Sequence, residues 1–247
     1  MTTIDLNSDL GEGAGTESEI MPFITSANIA CGAHAGDERS MRDAVQLAIA
    51  RGVAVGAHPG YRDPANFGRA ALDIPGEALT ADLIVQIEAL RAIAHSLGAE
   101  LTHVKAHGAL YNTAQDDETV AAAIVRAMKR AAPELVLFVF PGSAVERAAR
   151  VGGLRVAREG FIDRAYEPDG ALRSRAMPDA LITDLERAAE QALSFMRDGG
   201  VRAHDGTFLE QGVDTLCVHG DTPGAPAILR AARAALVAAG ISVHRLK

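Results

Sequence analysis

The sequence predicts an α/β fold, a (β/α) barrel of seven or eight parallel strands built as one domain over residues 1–247, and three observations predict it. Short β-rich apolar runs alternate with longer amphipathic stretches, the pattern of βα units around a parallel sheet. The length is close to the ~250 residues typical of such a barrel. A content of 48% apolar against 23% charged residues suits a globular core. Histidines and carboxylates also fall where successive runs end, and parallel α/β folds place their ligands beyond the carboxyl ends of the strands. A doubly wound open sheet is the alternative architecture.

The expected strands are Thr3–Asn7, Ala27–Cys31, Val53–Ala57, Leu101–Lys105, Leu135–Phe140, Leu154–Ala157 and Thr215–His219, with Ile241–His244 as an eighth. Met41, Val45, Ala48 and Ile49 form a helical stripe that Gly52 ends. Thr80 reads as the N-cap of a helix carrying Leu83, Ile87, Leu90, Ala94 and Leu97, with Gly98 just past its end. Val120, Ile124, Val125 and Met128 mark the next. Asp179 reads as the start of another, with Leu181, Ile182, Leu185, Ala189, Leu193 and Met196 on one face and Gly199 closing it. Pro226 sits in the first turn of the last, followed by Leu229, Ala232 and Leu236. The Gly/Pro-rich stretches 56–76 and 160–178 read as long loops within the one domain.

A formal charge of −8 and the lack of any Lys/Arg-rich run exclude a general nucleic-acid or membrane-surface role, since both require a basic face. The longest strongly apolar run, Leu135 to Phe140, is far short of the ~18–20 residues that span a bilayer. Two cysteines, Cys31 and Cys217, do not make a disulfide framework. The first residues enter a strand without a basic start and apolar run, so the expected location is the cytoplasm, with reduced thiols.

The chemistry gathers at the strand ends. The first carries Asp5, Asn7, Asp9 and Glu12 in a glycine-rich turn, a source of a general base, a metal ligand or a cation clamp. Next comes His34 between two glycines, with Asp37 placed to cap the following helix or to orient the imidazole. His58 follows in a His-Pro-Gly turn. In the fourth segment, alternation puts His103, Lys105 and His107 on one face. Lys105 is one of three lysines against 21 arginines, and a lysine beside histidines in a barrel mouth is expected to have a lowered pKa or to hold an anion. Asp163, Arg164, His219 and Asp221 complete the set, Arg164 being suited to bidentate pairing with a carboxylate or phosphate. Five of the eight histidines thus sit at strand ends, which structural accident explains poorly. Acids and imidazoles together also suit a divalent metal. With no HExxH or CxxC spacing, such a site would be assembled from distant loops, and the residues do not decide it. Phosphate-loop and G-x-S-x-G nucleophile patterns are both absent.

The stretches DLNSDLGEGAG, SANIACGAHAGD, GVAVGAHPGYRD with NFGR, HVKAHGALYN, FIDRAYEPDGAL and CVHGD, in this order from residue 5 to residue 221, resemble the lactam-utilisation family. Together they are highly specific, although Ala106 stands where the family motif carries proline and Arg173-Ser174-Arg175 where Val-Pro-Arg is commoner. The resemblance implies a barrel akin to those of glycoside hydrolases and polysaccharide deacetylases. It implies the A subunit of a 5-oxoprolinase that opens 5-oxoproline to L-glutamate with ATP as co-substrate, together with subunits B and C. On that basis Asp9, Glu12, His34, His58, Lys105, His107 and His219 are expected to be catalytic, and Asn7, Asp37, His103, Arg164 and Asp221 to bind substrate. Two other readings remain: a stand-alone metal-dependent deacetylase or amidohydrolase, and a non-catalytic lactam-binding subunit.

Overall fold

The computed structural model describes residues 2–246; Met1 and Lys247, the third lysine, lie outside the described residues. Its strands are β1 (Thr3–Leu10), β2 (Ser26–Ala30), β3 (Ala54–His58), β4 (Leu101–Lys105), β5 (Val136–Val139), β6 (Arg155–Phe161), β7 (Gly200–Arg202), β8 (Phe208–Glu210), β9 (Thr215–Cys217) and β10 (Ser242–Val243). The helices are α1 (Glu17–Ile20), α2 (Glu38–Arg51), α3 (Gly76–Ser96), α4 (Gly108–Thr113), α5 (Glu118–Ala131), α6 (Ala144–Val151), α7 (Leu185–Arg197) and α8 (Ala225–Ala238).

Seven parallel strands close into a barrel in the order β1-β2-β3-β4-β5-β6-β9, with β9 returning to pair with β1. The eighth expected strand is β10, which pairs only with the start of β1, at Thr3 and Ile4. The hairpin β7–β8 stands apart from the barrel. Among the described residues no helix is long and apolar enough to cross a membrane.

The main apolar core lies outside the strands, between barrel and helices. It joins Leu6, Ile29 and Val104 to Leu83, Ile87 and Leu90 of α3 and to Ile124 and Met128 of α5. The barrel interior is largely polar. Asp5, Asn7 and Asp9 of β1, Asn28 of β2, Lys105 of β4 and Glu159 of β6 are all buried, beside a small apolar cluster of Val136, Phe138 and Ala157. Such groups must be paired to be tolerated: all but Glu159 make hydrogen bonds, and Glu159 has its Oε1 2.9 Å from the Lys105 ammonium while Oε2 has no hydrogen-bond partner. Thr215 donates to Asp5 at 2.6 Å and receives the Asn7 amide at 2.7 Å, while Asn28 donates to both Asn7 and Asp9.

Three local expectations change. The acidic segment after Asn7 is strand, not turn: β1 runs to Leu10, pairing with β2 to its end, because inward carboxylates find partners inside the barrel. Thr80 lies inside α3, whose N-cap is Pro75, and its hydroxyl donates to the Gly76 and Ala123 carbonyls. Helix α7 begins at Leu185, capped by Asp184; Asp179 instead pairs with Arg173. Leu181 and Ile182 are extended rather than helical, Leu181 bridging to Arg164 and the Ile182 N–H donating to the Asp163 carbonyl. That pairing fixes the segment after β6 at the barrel mouth. Helix α6, capped by Ser143, has no counterpart among the expected elements.

Candidate active site

A cavity of about 520 Å³ opens at the carboxyl ends of the strands, within the ~300–1,000 Å³ usual for small-ligand sites. Asp9, His58, Lys105 and His107 form part of its lining, with Tyr111, Arg69, Arg164, Arg175 and His219 around them.

Lys105 is its most constrained member. Its Nζ lies 2.9 Å from Asp9 Oδ1 and 2.9 Å from Glu159 Oε1, and donates to Cys217 Sγ at 3.2 Å. Burial alone would neutralise the amine, but Asp9, with Cys217 and Glu159, holds its pKa well above the ordinary lysine value. Asp9 likewise resists its burial: His58 and Lys105 keep it well below the usual carboxylate range. An ammonium flanked by two carboxylates is therefore fixed in place and charged.

Beside it, Glu12 joins three imidazoles. Its Oε1 lies 3.0 Å from His34 Nε2, 3.0 Å from His107 Nδ1 and 3.6 Å from His58 Nε2. The rings of His34 and His107 stack with centroids 3.6 Å apart. Burial works against the Glu12 charge, yet the imidazoles of His107, His34 and His58 around it hold its pKa down. Burial lowers His34 to about 4, whereas His58, also buried, is raised by the Asp9 carboxylate. The loop carrying Phe67 and Gly68 closes over this group. At Gly68, with φ of +63°, a Cβ would lie 2.7 Å from His34 Cβ and 2.9 Å from His107 Cδ2, so both the conformation and the approach require glycine.

Across the cavity Asp163 accepts from the His219 ring at 3.0 Å, from its backbone N–H at 3.0 Å and from Thr222 at 2.5 Å. Burial opposes ionisation, but His219 and these bonds bring Asp163 to about 2. A folded pKa below the unfolded ~3.9 contributes stability that is full above pH ~4 and is lost as pH falls through the folded value, amounting to ~2 kcal/mol. Replacing Asp163 with Asn should lower the urea-unfolding free energy by ~2 kcal/mol at neutral pH and flatten its dependence between pH ~4 and ~2. An unchanged pH profile would remove this role.

Arg164 is 6% exposed, and one of its nitrogens donates to the Arg173 carbonyl at 2.6 Å. Its Nε is buried without a hydrogen-bond partner. Burial, and then Arg175, lower its pKa, so like charges converge there. Asp221 sits between Arg69 and Arg175, pairing with both.

The expected residues therefore divide. Asp9, Glu12, His34, His58, Lys105 and His107 form one contiguous group, with His219 and Arg164 on the cavity wall and Asp221 tying rim arginines. Asn7 and His103 lie deeper. Asn7 accepts from Asn28, while His103 bonds Asn28 at 2.8 Å, stacks on Phe138 and lines a separate pocket with Ser26 and Arg155. Asp37 is exposed and its side chain accepts from the Ser40 N–H, so its place is the cap of α2. Substrate contact gives way at these three positions to support or capping. Glu159, Tyr111 and Arg69 escaped the sequence reading. For Glu159 the available signal was its place at period two from Ala157 and Phe161, as the one acid of β6.

Two sets of side chains bring metal-binding atoms together: Glu12, His34, His58 and His107; and Asp9, Cys217 and His219. The Lys105 ammonium, bonded to both Asp9 and Cys217, disfavours a cation in the second. The first contains no ammonium.

Residues 4–247 match the model of the LamB/YcsF family. A protein from Bordetella pertussis, named as the A subunit of 5-oxoprolinase, is 51% identical over 98% of both chains. One of the same name from Symbiobacterium thermophilum is 49% identical, over 97% of this chain and 94% of its own. The crystal structure of a lactam utilization protein from Thermus thermophilus superposes with a TM-score of 0.93 at 46% identity, covering 99% and 100% of the two chains. A family 4 carbohydrate esterase from Streptomyces lividans shares the fold, with a TM-score of 0.51 at 10% identity, covering 100% of this chain and 93% of its own.

Proposed function

Because the chain belongs to the LamB/YcsF family, we propose that it is the A subunit of an ATP-dependent 5-oxoprolinase that opens 5-oxoproline to L-glutamate with partner subunits B and C. The observation carrying this reading is the cavity itself, where the Arg164 guanidinium shares the wall with an ionised acid, an ammonium and imidazoles.

The lactam has the matching parts. Its carboxylate pairs with the part of the Arg164 guanidinium that lines the cavity, a charge-assisted contact. Its amide then lies toward Asp9 and Lys105. Asp9, ionised and beside His58, is the base that takes a proton from the attacking water. Lys105 stabilises negative charge on the carbonyl oxygen as the carbon becomes tetrahedral. His219 is oriented by Asp163 through Nδ1, and its imidazolium form delivers the Nε2 proton to the nitrogen released when the C–N bond breaks, the proton taken up by Asp9 from water restoring the balance. A five-membered lactam is an unactivated amide favoured in its closed form. Coupling to ATP supplies the driving force: phosphorylation of the amide oxygen releases ADP, water attack and C–N cleavage then give the acyl phosphate of glutamate, and a second water releases phosphate and L-glutamate.

The test is 5-oxoproline-dependent ATP hydrolysis and glutamate release, measured with this chain alone, with subunits B and C alone, and with all three. The expected result is coupled turnover only in the full mixture. Amide hydrolysis by this chain alone, without ATP, would replace the reading with a stand-alone amidohydrolase. Coupled turnover by B and C alone would reduce this chain to a substrate-binding role.

A further inference from the structure

We propose that Glu12, His58 and His107 form a binding site for one divalent late first-row transition metal, of the zinc class, beside Lys105.

The outward nitrogens of two imidazoles fix their tautomers. His58 Nδ1 lies 2.8 Å from the Lys105 carbonyl, and His107 Nε2 lies 2.9 Å from the Phe67 carbonyl. A carbonyl only accepts, so both outward nitrogens carry the hydrogen. With both rings neutral, the form a metal selects by displacing the proton that Asp9 favours on His58, the inward nitrogens His58 Nε2 and His107 Nδ1 are bare lone pairs. They face each other at 3.0 Å. Glu12 Oε1, another acceptor, stands 3.0 Å from His107 Nδ1 and 3.6 Å from His58 Nε2.

Acceptors converging in a buried place repel unless something positive lies between them. A single proton on one ring serves one contact along one direction. A cation serves every donor at once. The separations match that role, since donors ~2.1 Å from one ion are ~3.4 Å apart in a tetrahedron and ~3.0 Å in an octahedron. His34, stacked near-parallel on His107, sends its lone pairs along a separate plane and instead holds Glu12, with Nε2 3.0 Å from Oε1. Imidazole hydrogens pinned on backbone carbonyls are also the outer-shell arrangement that aims metal-bound histidines. Two imidazoles and one carboxylate favour zinc-like ions over magnesium or calcium, which prefer oxygen. His58 and His107 also line the cavity, so an ion held here is within reach of a ligand bound there.

The inference is independent of the lactam reading, because its readout is bound metal and requires no turnover. Untagged full-length protein, stripped with a chelator and dialysed, is titrated with Zn²⁺ by equilibrium dialysis and with Co²⁺ by visible absorption. One equivalent of Zn²⁺ per chain is expected, with a Co²⁺ ligand-field band and an upward shift in Tm on metal addition. His58→Ala and His107→Ala should each weaken Zn²⁺ binding at least ~100-fold. Glu12→Gln, close to isosteric, should weaken it at least ~10-fold while circular dichroism shows a folded barrel, which covers failure of the alanine variants to fold. Less than a tenth of an equivalent bound, ~0.1 per chain, or the same affinity in a folded Glu12→Gln or His107→Ala variant, would overturn the site and leave a proton-bridged cluster.

Discussion

Replacing Lys105 with methionine should abolish ATP-coupled ring opening in the reconstituted complex, by at least ~10³-fold in kcat, and should also destabilise the barrel by ~3–5 kcal/mol. The two losses have different origins. The stability loss comes from Asp9 and Glu159, buried carboxylates that both lie 2.9 Å from the Lys105 ammonium and lose their counter-charge together. Removing one partner of a buried ion pair costs more than the pair contributes, because an uncompensated charge stays behind. The activity loss comes from the missing cation beside the reacting carbonyl. The double variant Lys105→Met/Glu159→Gln separates them. It should recover ~1–2 kcal/mol of unfolding free energy by removing one orphaned charge, while kcat stays at the level of the single variant. Urea denaturation and the coupled assay read the two effects. Activity that returned with stability would make Lys105 a structural residue and overturn its catalytic role.

Lys105 also shows how far the sequence carried. The segment Leu101–Lys105 is strand at its expected bounds, and the alternation that turned Lys105 inward was legible from period two alone. The same rule grouped His103 with Lys105, and there it misled. Two residues along a strand advance ~6.6 Å, so side chains on one face of a barrel strand occupy different depths. His103 consequently lies a layer below, stacked on Phe138, and does not line the cavity. Depth is set by strand stagger around the closed sheet, which one strand's pattern does not encode.

The polar interior was the less legible part. A parallel strand buried on both faces normally reads as continuous apolar residues, so Asp5, Asn7 and Asp9 resembled a turn following a short strand. Their partners come from β2, β4 and β9, and even Asn28, on the neighbouring strand, is 19 residues from Asp9, so the pairing has no local signature. Glu159 was missed for the same reason: its partner Lys105 is on β4, and β6 ran four residues past its expected end. The convergence of His34, His58 and His107 was legible as strand-end placement. What brings them to one point is the 60–68 loop, whose close approach at Gly68 no spacing rule anticipates.

Arg164 gives the second large effect, opposite in sign for stability. Substituting methionine should raise the KM for 5-oxoproline ~10–100-fold, the loss of a charge-assisted hydrogen bond worth ~1.5–3 kcal/mol. It should leave Tm unchanged or higher. The guanidinium is buried, its Nε has no partner, and Arg175 adds like charge, so the unliganded barrel bears a desolvation cost that a methionine of similar length avoids. The variant also gives up the favourable hydrogen bond to the Arg173 carbonyl, which offsets part of the gain. Lysine at 164 should restore little, because a single ammonium does not reproduce the planar fork that engages a carboxylate in bidentate fashion. Calorimetry with 5-oxoproline and with its amide, which lacks the carboxylate charge, supplies the decisive comparison. The wild type should prefer the acid at least ~10-fold and the Arg164→Met variant should not discriminate. A variant that loses stability along with affinity, or that still prefers the acid, would place the carboxylate elsewhere and make Arg164 a support for the segment after β6. A site built for an anion is expected to be strained without one, and an unpaired buried arginine is the form that strain takes here.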